Sequence, residues 1–133
     1  MTTETTANHC FVCGPNNPFG LNVSFAIRDD ICFGYFTPGK NHAGFDNVTH
    51  GGIIFSLLDD VMANWMWLQK KQCFTAKAEI RYLQKSPLGV ELRLEGRCQT
   101  RKGRLVKMSG IAIRTDNEEK VASASGSFML SSS

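Results

Sequence analysis

Apolar residues recur along this chain with two different periods, and the changes of period divide it into elements. Leu21, Val23, Phe25 and Ile27 alternate with Asn22, Ser24, Ala26 and Arg28, the pattern of a half-buried strand. Asp29-Asp30 turns the chain into a second predicted strand, Ile31 to Thr37, which Pro38-Gly39 ends. Ile53, Ile54, Leu57, Leu58, Val61, Trp65 and Leu68 then fall at helical spacing, predicting a helix from about Gly52 to Gln69. Alternation returns with Ala76, Ala78, Ile80 and Tyr82 against Lys77, Glu79 and Arg81. After Pro87-Leu88-Gly89 it is clearest, with Val90, Leu92, Leu94 and Cys98 opposing Glu91, Arg93, Glu95 and Arg97. Lys102-Gly103 predicts a hairpin. In the following strand the apolar phase slips from Val106 and Met108 to Ile111 and Ile113, which predicts a bulge near Ser109-Gly110. Asp116-Asn117 leads to a last strand carrying Ala122, Ala124, Phe128 and Leu130.

Two strands, one long helix and four more strands with polar outer faces fit an antiparallel sheet covered on one side. The economical packing is α+β, a curved sheet of five to six strands wrapped around one central helix. Residues 1–9 and 131–133 read as tails, and 10–130 as one domain.

The helix is more apolar than one sheet requires. With Ile53, Leu57, Val61 and Leu68 against the sheet, the opposite side carries Phe55, Asp59, Met62, Ala63, Met66 and Trp67, where a solvated helix would show Lys, Glu or Gln. A second copy of the chain is expected to cover that side. Asp59 sits in its middle, four residues after Phe55 and three and four before Met62 and Ala63. Burying a carboxylate among apolar groups is costly, and such groups either bond across an interface or do chemistry. Asp60 points about 100° away on a helix and cannot pair closely with it; it reads as a helix-edge charge, and is the backup carboxylate. His50-Gly51-Gly52 lies where the helix opens, with unpartnered first-turn N–H groups at the positive end of the helix dipole. Glycines there admit a carbonyl oxygen closely enough to form an oxyanion site, or simply make a flexible entry turn.

Composition narrows the classes. A hydrophobic share of 42%, a charged share of 20% and a formal net charge of +3 describe an ordinary globular chain with no reason to bind nucleic acid. No apolar run approaches the roughly 18 residues of a membrane span, and the polar start has no secretory layout. Five cysteines scattered among apolar neighbours suit reduced thiols in the cytoplasm. Cys10 and Cys13 beside His9 invite a zinc site. With no second Cys or His pair at ribbon or finger spacing, no metal is expected.

The run His50-Gly51-Gly52-Ile53-Ile54-Phe55-Ser56-Leu57-Leu58-Asp59 resembles the signature of hotdog-fold acyl thioesterases of the phenylacetate-pathway type. The opening Cys10-Phe11-Val12-Cys13-Gly14-Pro15-Asn16-Asn17-Pro18-Phe19-Gly20-Leu21 resembles the start of a bacterial subset of that superfamily, and Thr75 to Leu83 resembles its strand after the helix. The resemblance runs from about Cys10 to Leu130. It implies Asp59 as general base or nucleophile, the Gly51 N–H as oxyanion donor, His50 as an orienting residue and Thr75 as a hydroxyl that helps hold the water. Relatives also hold that water with an Asn at the position of Gly44, which this chain lacks; Asp46 or Asn47 would have to substitute.

The implied substrate is an acyl thioester of coenzyme A or of an acyl carrier protein, with no separate cofactor. Gly52, Phe55, Met62 and Asn47 would line its site, and Arg101, Lys102 and Arg104 would meet its phosphates. The implied assembly is a homodimer, or a tetramer, with sites between subunits. A non-catalytic acyl-CoA-binding or ligand-sensing module is the alternative, and the pattern of a hotdog dehydratase is not reproduced.

Overall fold

A computed structural model describes residues 6–132. The elements follow the order read from the sequence: β1 (Ala26–Arg28), β2 (Ile31–Phe36), α1 (Gly51–Trp67), β3 (Cys73–Tyr82), β4 (Leu92–Lys102), β5 (Leu105–Arg114) and β6 (Lys120–Leu130). All six strands form one antiparallel sheet in the order β1-β2-β4-β5-β6-β3, so β3, which follows the helix directly, lies at an edge. The helix packs on one face of this sheet, and Leu57, Val61, Leu92, Leu94, Val106 and Phe128 are fully buried in the core. No helix among the described residues is long and apolar enough to cross a membrane.

The first predicted strand is shorter in the ladder than expected, because only 26–28 pair with β2. Leu21 and Val23 are nevertheless buried. Their N–H groups donate to the Phe11 and Val12 carbonyls, both at 2.8 Å, so the alternating stretch pairs with the preceding loop instead of with a strand. The amino-terminal tail is also shorter than expected. Cys10 N–H donates to Ala7 O and Asn16 N–H to Asn8 O, while Asn17 Nδ2 donates to His9 O. These bonds tie residues 7–9 into the loop. At the other end Ser131 N–H donates to Gln72 O. The tail expectation for residues 1–5 and 133 lies outside the described residues.

The bulge is not at Ser109-Gly110. Val106, Met108, Gly110 and Ala112 all face inward, and the register shifts lie between Cys98 and Thr100 and between Ala112 and Ile113. The apparent slip arose because one inward position is a glycine, which leaves no apolar mark in the sequence. Gly110 pairs with Gly96 of β4, and the helix rides directly over the pair. A Cβ at Gly96 would stand 2.7 Å from the Val61 carbonyl oxygen, and one at Gly110 3.2 Å from Met62 Cγ. Gly96→Ala is therefore expected to lower the unfolding free energy by about 1–3 kcal/mol, read as a lower urea midpoint at unchanged slope.

That close approach also rotates the helix from the expected setting. Ile54, Leu57, Leu58, Val61, Met62 and Met66 are buried, whereas Ile53 is partly exposed and Leu68 is exposed. Met62 and Met66, expected on the open side, belong to the core. Met62 therefore cannot line an open substrate site from this chain. The open side is Gly52, Phe55, Ser56, Asp59 and Ala63.

Candidate active site

His50 caps the helix that carries the site. It adopts extended backbone (φ −60°, ψ 133°), and its Nδ1 accepts the Gly52 N–H at 2.8 Å, satisfying one of the first-turn donors. In the neutral imidazole this bond puts the ring proton on Nε2. His50 O accepts from Ile53 and Ile54, so three of the first four helical N–H groups are engaged. The Gly51 N–H has no acceptor among the described residues. Of the two glycines expected to meet a ligand, Gly51 has the open donor, while that of Gly52 is already used by His50.

Tyr82, at the end of β3, fixes the other side of this turn. Its hydroxyl donates to the Gly51 carbonyl at 2.8 Å, and a Cβ on Gly51 would lie 3.3 Å from that hydroxyl oxygen. Gly51 and Tyr82 border a cleft of about 890 Å³, also lined by Gly44, Asp46, His50 and Lys85, a volume suited to a small organic ligand. Sequence reading missed Tyr82 and the segment after it. In the sequence Tyr82 is one of the apolar positions of its strand, and nothing in that alternation marks a hydroxyl aimed at the helix mouth. Asn47 does not line the cleft. It takes a left-handed backbone (φ 63°), and its carbonyl accepts from Leu88. Gly44 lies close against the cap: a Cβ there would lie 3.2 Å from His50 Cα, a tight contact that a side chain meets only if the loop or the cap gives by a few tenths of an ångström.

Asp59 stands two turns along the helix, partly exposed, and its Oδ1 accepts the Thr75 Oγ1–H at 2.8 Å. The two side chains named together from sequence thus form one pair, placed by the antiparallel return of β3 alongside α1. Phe55 lies one turn before Asp59, partly buried on the same open side. The pair is not beside the Gly51 donor. Eight residues of helix separate them by about 12 Å along its axis, and Asp59 does not line the cleft.

Asp60 is not a helix-edge charge. It points to the other side, where Cys10 Sγ donates to its Oδ1 at 3.6 Å and Asn64 Nδ2 to its Oδ2 at 3.0 Å. Burial raises its pKa above the usual carboxylate range, a shift that bonds from Cys13, Cys10 and Asn64 oppose and the charge of Asp59 adds to. Burial likewise raises the Cys13 thiol, and the Asp60 charge adds to it. The five cysteines are free; only Cys32 is fully buried, where burial pushes its thiol up to about 12.

Arg101, Lys102 and Arg104 sit around the β4–β5 hairpin, with Gly103 at its tip in the left-handed conformation (φ 62°). Leu105 is opposite Met129 and Cys73 opposite Leu130, so this hairpin lies at the start of β3, whereas the cleft lies at its end. Within one chain it does not line the cleft. Arg104 Nε donates to Leu130 O, and Arg101 Nε to Gly103 O.

One helix held in a six-stranded antiparallel sheet, with a glycine turn at its mouth and a carboxylate on its open side, is the hotdog architecture. The thioesterase superfamily model matches residues 46–121, more than half of the chain, and the chain belongs to that family. A solved thioesterase superfamily protein is 28% identical over 92% of this chain (TM-score 0.84); the match covers 63% of that protein's length. A hypothetical thioesterase protein from Streptococcus pneumoniae TIGR4, solved with coenzyme A, is 18% identical and shares the fold over 84% of this chain and 90% of its own (TM-score 0.77). That protein has also been solved with a threonine and, separately, an aspartate sixteen positions before it replaced by alanine. The Escherichia coli PaaI protein from the phenylacetic acid degradation operon shares the fold at 16% identity over 83% of this chain and 80% of its own (TM-score 0.76). No curated protein matches.

Proposed function

We propose that this chain hydrolyses an acyl-CoA thioester at a site shared between two copies. The observation that carries this reading is the Asp59–Thr75 hydrogen bond on the open side of a helix whose mouth presents a free Gly51 N–H. The Asp59 carboxylate takes a proton from the water that attacks the carbonyl, or attacks the carbonyl itself to form a mixed anhydride that water then cleaves, while Thr75 orients the carboxylate. The Gly51 N–H, at the positive helix end, receives the developing oxyanion, and coenzyme A leaves as the thiolate. Asp59 and Thr75 are sixteen positions apart, the spacing of the aspartate and threonine replaced in the streptococcal protein. That protein's coenzyme A supports the substrate class.

The second copy follows from distance. Groups about 12 Å apart along one helix cannot both lie within about 3 Å of one thioester carbon and oxygen. Antiparallel pairing of β3 with β3 of a second copy removes the difficulty. It sets the start of one strand, with Thr75 and Asp59, beside the end of the other, with Tyr82 and Gly51. Phe74 and Tyr82, 59% and 50% exposed on this edge, would be covered in the pairing. The same operation brings Arg101, Lys102 and Arg104 of one copy toward the cleft of the other, where they can meet ligand phosphates. The dimer is isologous, and pairing of its outer sheet faces would give a tetramer. The five free thiols suit a reducing compartment.

The test is thiol release from short, aromatic and long acyl-CoAs, with ligand binding measured in parallel. Hydrolysis of at least one class supports the proposal. Tight binding of acyl-CoA with no turnover of any class would instead favour the non-catalytic module, the reading that Gly44 in place of the relatives' Asn makes specific.

A further inference from the structure

The half-buried Asp60 carboxylate that the proposed chemistry leaves unused lies against a cysteine pair. Cys10, Phe11, Val12, Cys13 and Gly14 form a tight knuckle. The Cys13 N–H points at Cys10 Sγ (3.5 Å), and the Gly14 N–H donates to the Cys10 carbonyl (2.9 Å). Gly14 is required, because a Cβ there would lie 2.4 Å from Cys10 N. Leu21 and Val23 hold this knuckle by backbone bonds to Phe11 and Val12, and buried Val12 anchors it in the core. Both sulfurs are thereby turned toward the middle of α1. Asp60 arrives there from the helix, with Asn64 one turn later donating to it and lying 3.8 Å from Cys13 Sγ.

We propose that Cys10, Cys13 and Asp60 bind a divalent ion of the zinc class, clamping the amino-terminal knuckle to the central helix. Their ligand atoms all lie within 4.8 Å of one another. Two ligands about 2.3 Å (sulfur) and 2.0 Å (oxygen) from a tetrahedral zinc ion stand roughly 3.5 Å apart; Cys10 Sγ and Asp60 Oδ1 are 3.6 Å apart. Two sulfurs with one carboxylate favour a borderline-soft ion over calcium or magnesium, which prefer oxygen alone. The sequence spacing argued against zinc because it offered only one cysteine pair. The fold supplies the third ligand from a residue fifty positions away. A cleft of about 470 Å³ reaches Cys13 and Asn64 from the surface and gives the ion an entry path. It also leaves room for water in the fourth position, unless Asn64 turns its amide oxygen inward.

The experiment is titration of the full-length, reduced and metal-stripped protein with cobalt(II), then with zinc(II). The expected result is a thiolate-to-cobalt charge-transfer band with tetrahedral d–d bands, saturating at a single equivalent and displaced by zinc. Cys13→Ser should lose most of the charge-transfer band, and Asp60→Asn should weaken cobalt binding about tenfold or more. If a variant does not fold, X-ray absorption of the zinc-loaded wild type decides, with two sulfur scatterers at about 2.3 Å supporting the site. Only oxygen and nitrogen scatterers, no charge-transfer band in the reduced wild type, or a band that survives Cys10→Ser combined with Cys13→Ser would each overturn it. The three groups would then be a thiol–carboxylate hydrogen-bond cluster.

Discussion

Asp59→Asn is expected to lower kcat for acyl-CoA hydrolysis by about 10²–10⁴-fold, the range associated with a positioned general base. The amide oxygen can still accept the Thr75 hydroxyl, so the one side-chain bond that the carboxylate makes is preserved. The position is partly exposed, so no buried charge is left unpaired by the exchange. Circular dichroism and the melting temperature should remain close to wild type, and acyl-CoA affinity should fall little. A variant that turns over as fast as wild type would remove Asp59 from the mechanism. A variant that unfolds would show the pair to be structural.

Gly51→Pro is the second substitution with a large expected effect. It removes the N–H proposed as oxyanion donor, and loss of one such donor costs about 10²–10³-fold in kcat. Proline is otherwise well suited to this position. Gly51 is the first helical residue, where a proline N–H is not missed by the helix. The preceding residue, His50, already has the extended backbone that proline requires. The ring must displace the Tyr82 hydroxyl slightly, since a Cβ comes within 3.3 Å of it. Folding should survive while kcat falls and KM changes little. A rate near that of wild type would exclude the Gly51 N–H from oxyanion stabilisation.

The element order, the single helix and the inward positions of β4 and β6 were legible because burial on one face writes a period into the sequence. Glycines broke that record. Gly110 occupies an inward position without an apolar side chain, so the alternation around it appeared to slip. The Gly96–Gly110 pair sets how the helix sits, which is why Met62 and Met66 turned out to be core. Asp59 with Thr75 and the His50-Gly51-Gly52 turn were visible as local chemistry. That Tyr82 of β3, and not Asp59, meets the helix mouth was not, because periodicity gives a residue's face without saying which other element must supply its partner. Asp60 was misread for the same reason: the loop that buries it lies fifty residues earlier. Tyr82 carried no signal beyond its alternation.

The central claim is that each site takes Asp59 and Thr75 from one copy and Gly51 from the other, and mixing two inactive variants tests it directly. Asp59→Asn and Gly51→Pro proteins would be unfolded together, refolded as a mixture and assayed on the best acyl-CoA substrate. In a mixed isologous dimer, one of the two shared sites contains only wild-type groups, so activity should recover to about a quarter of the wild-type rate for random pairing. Recovery to that level is the predicted result. A mixture as inactive as its components, in dimers shown by mass spectrometry to have exchanged, would mean that each chain carries its site alone and would contradict the account.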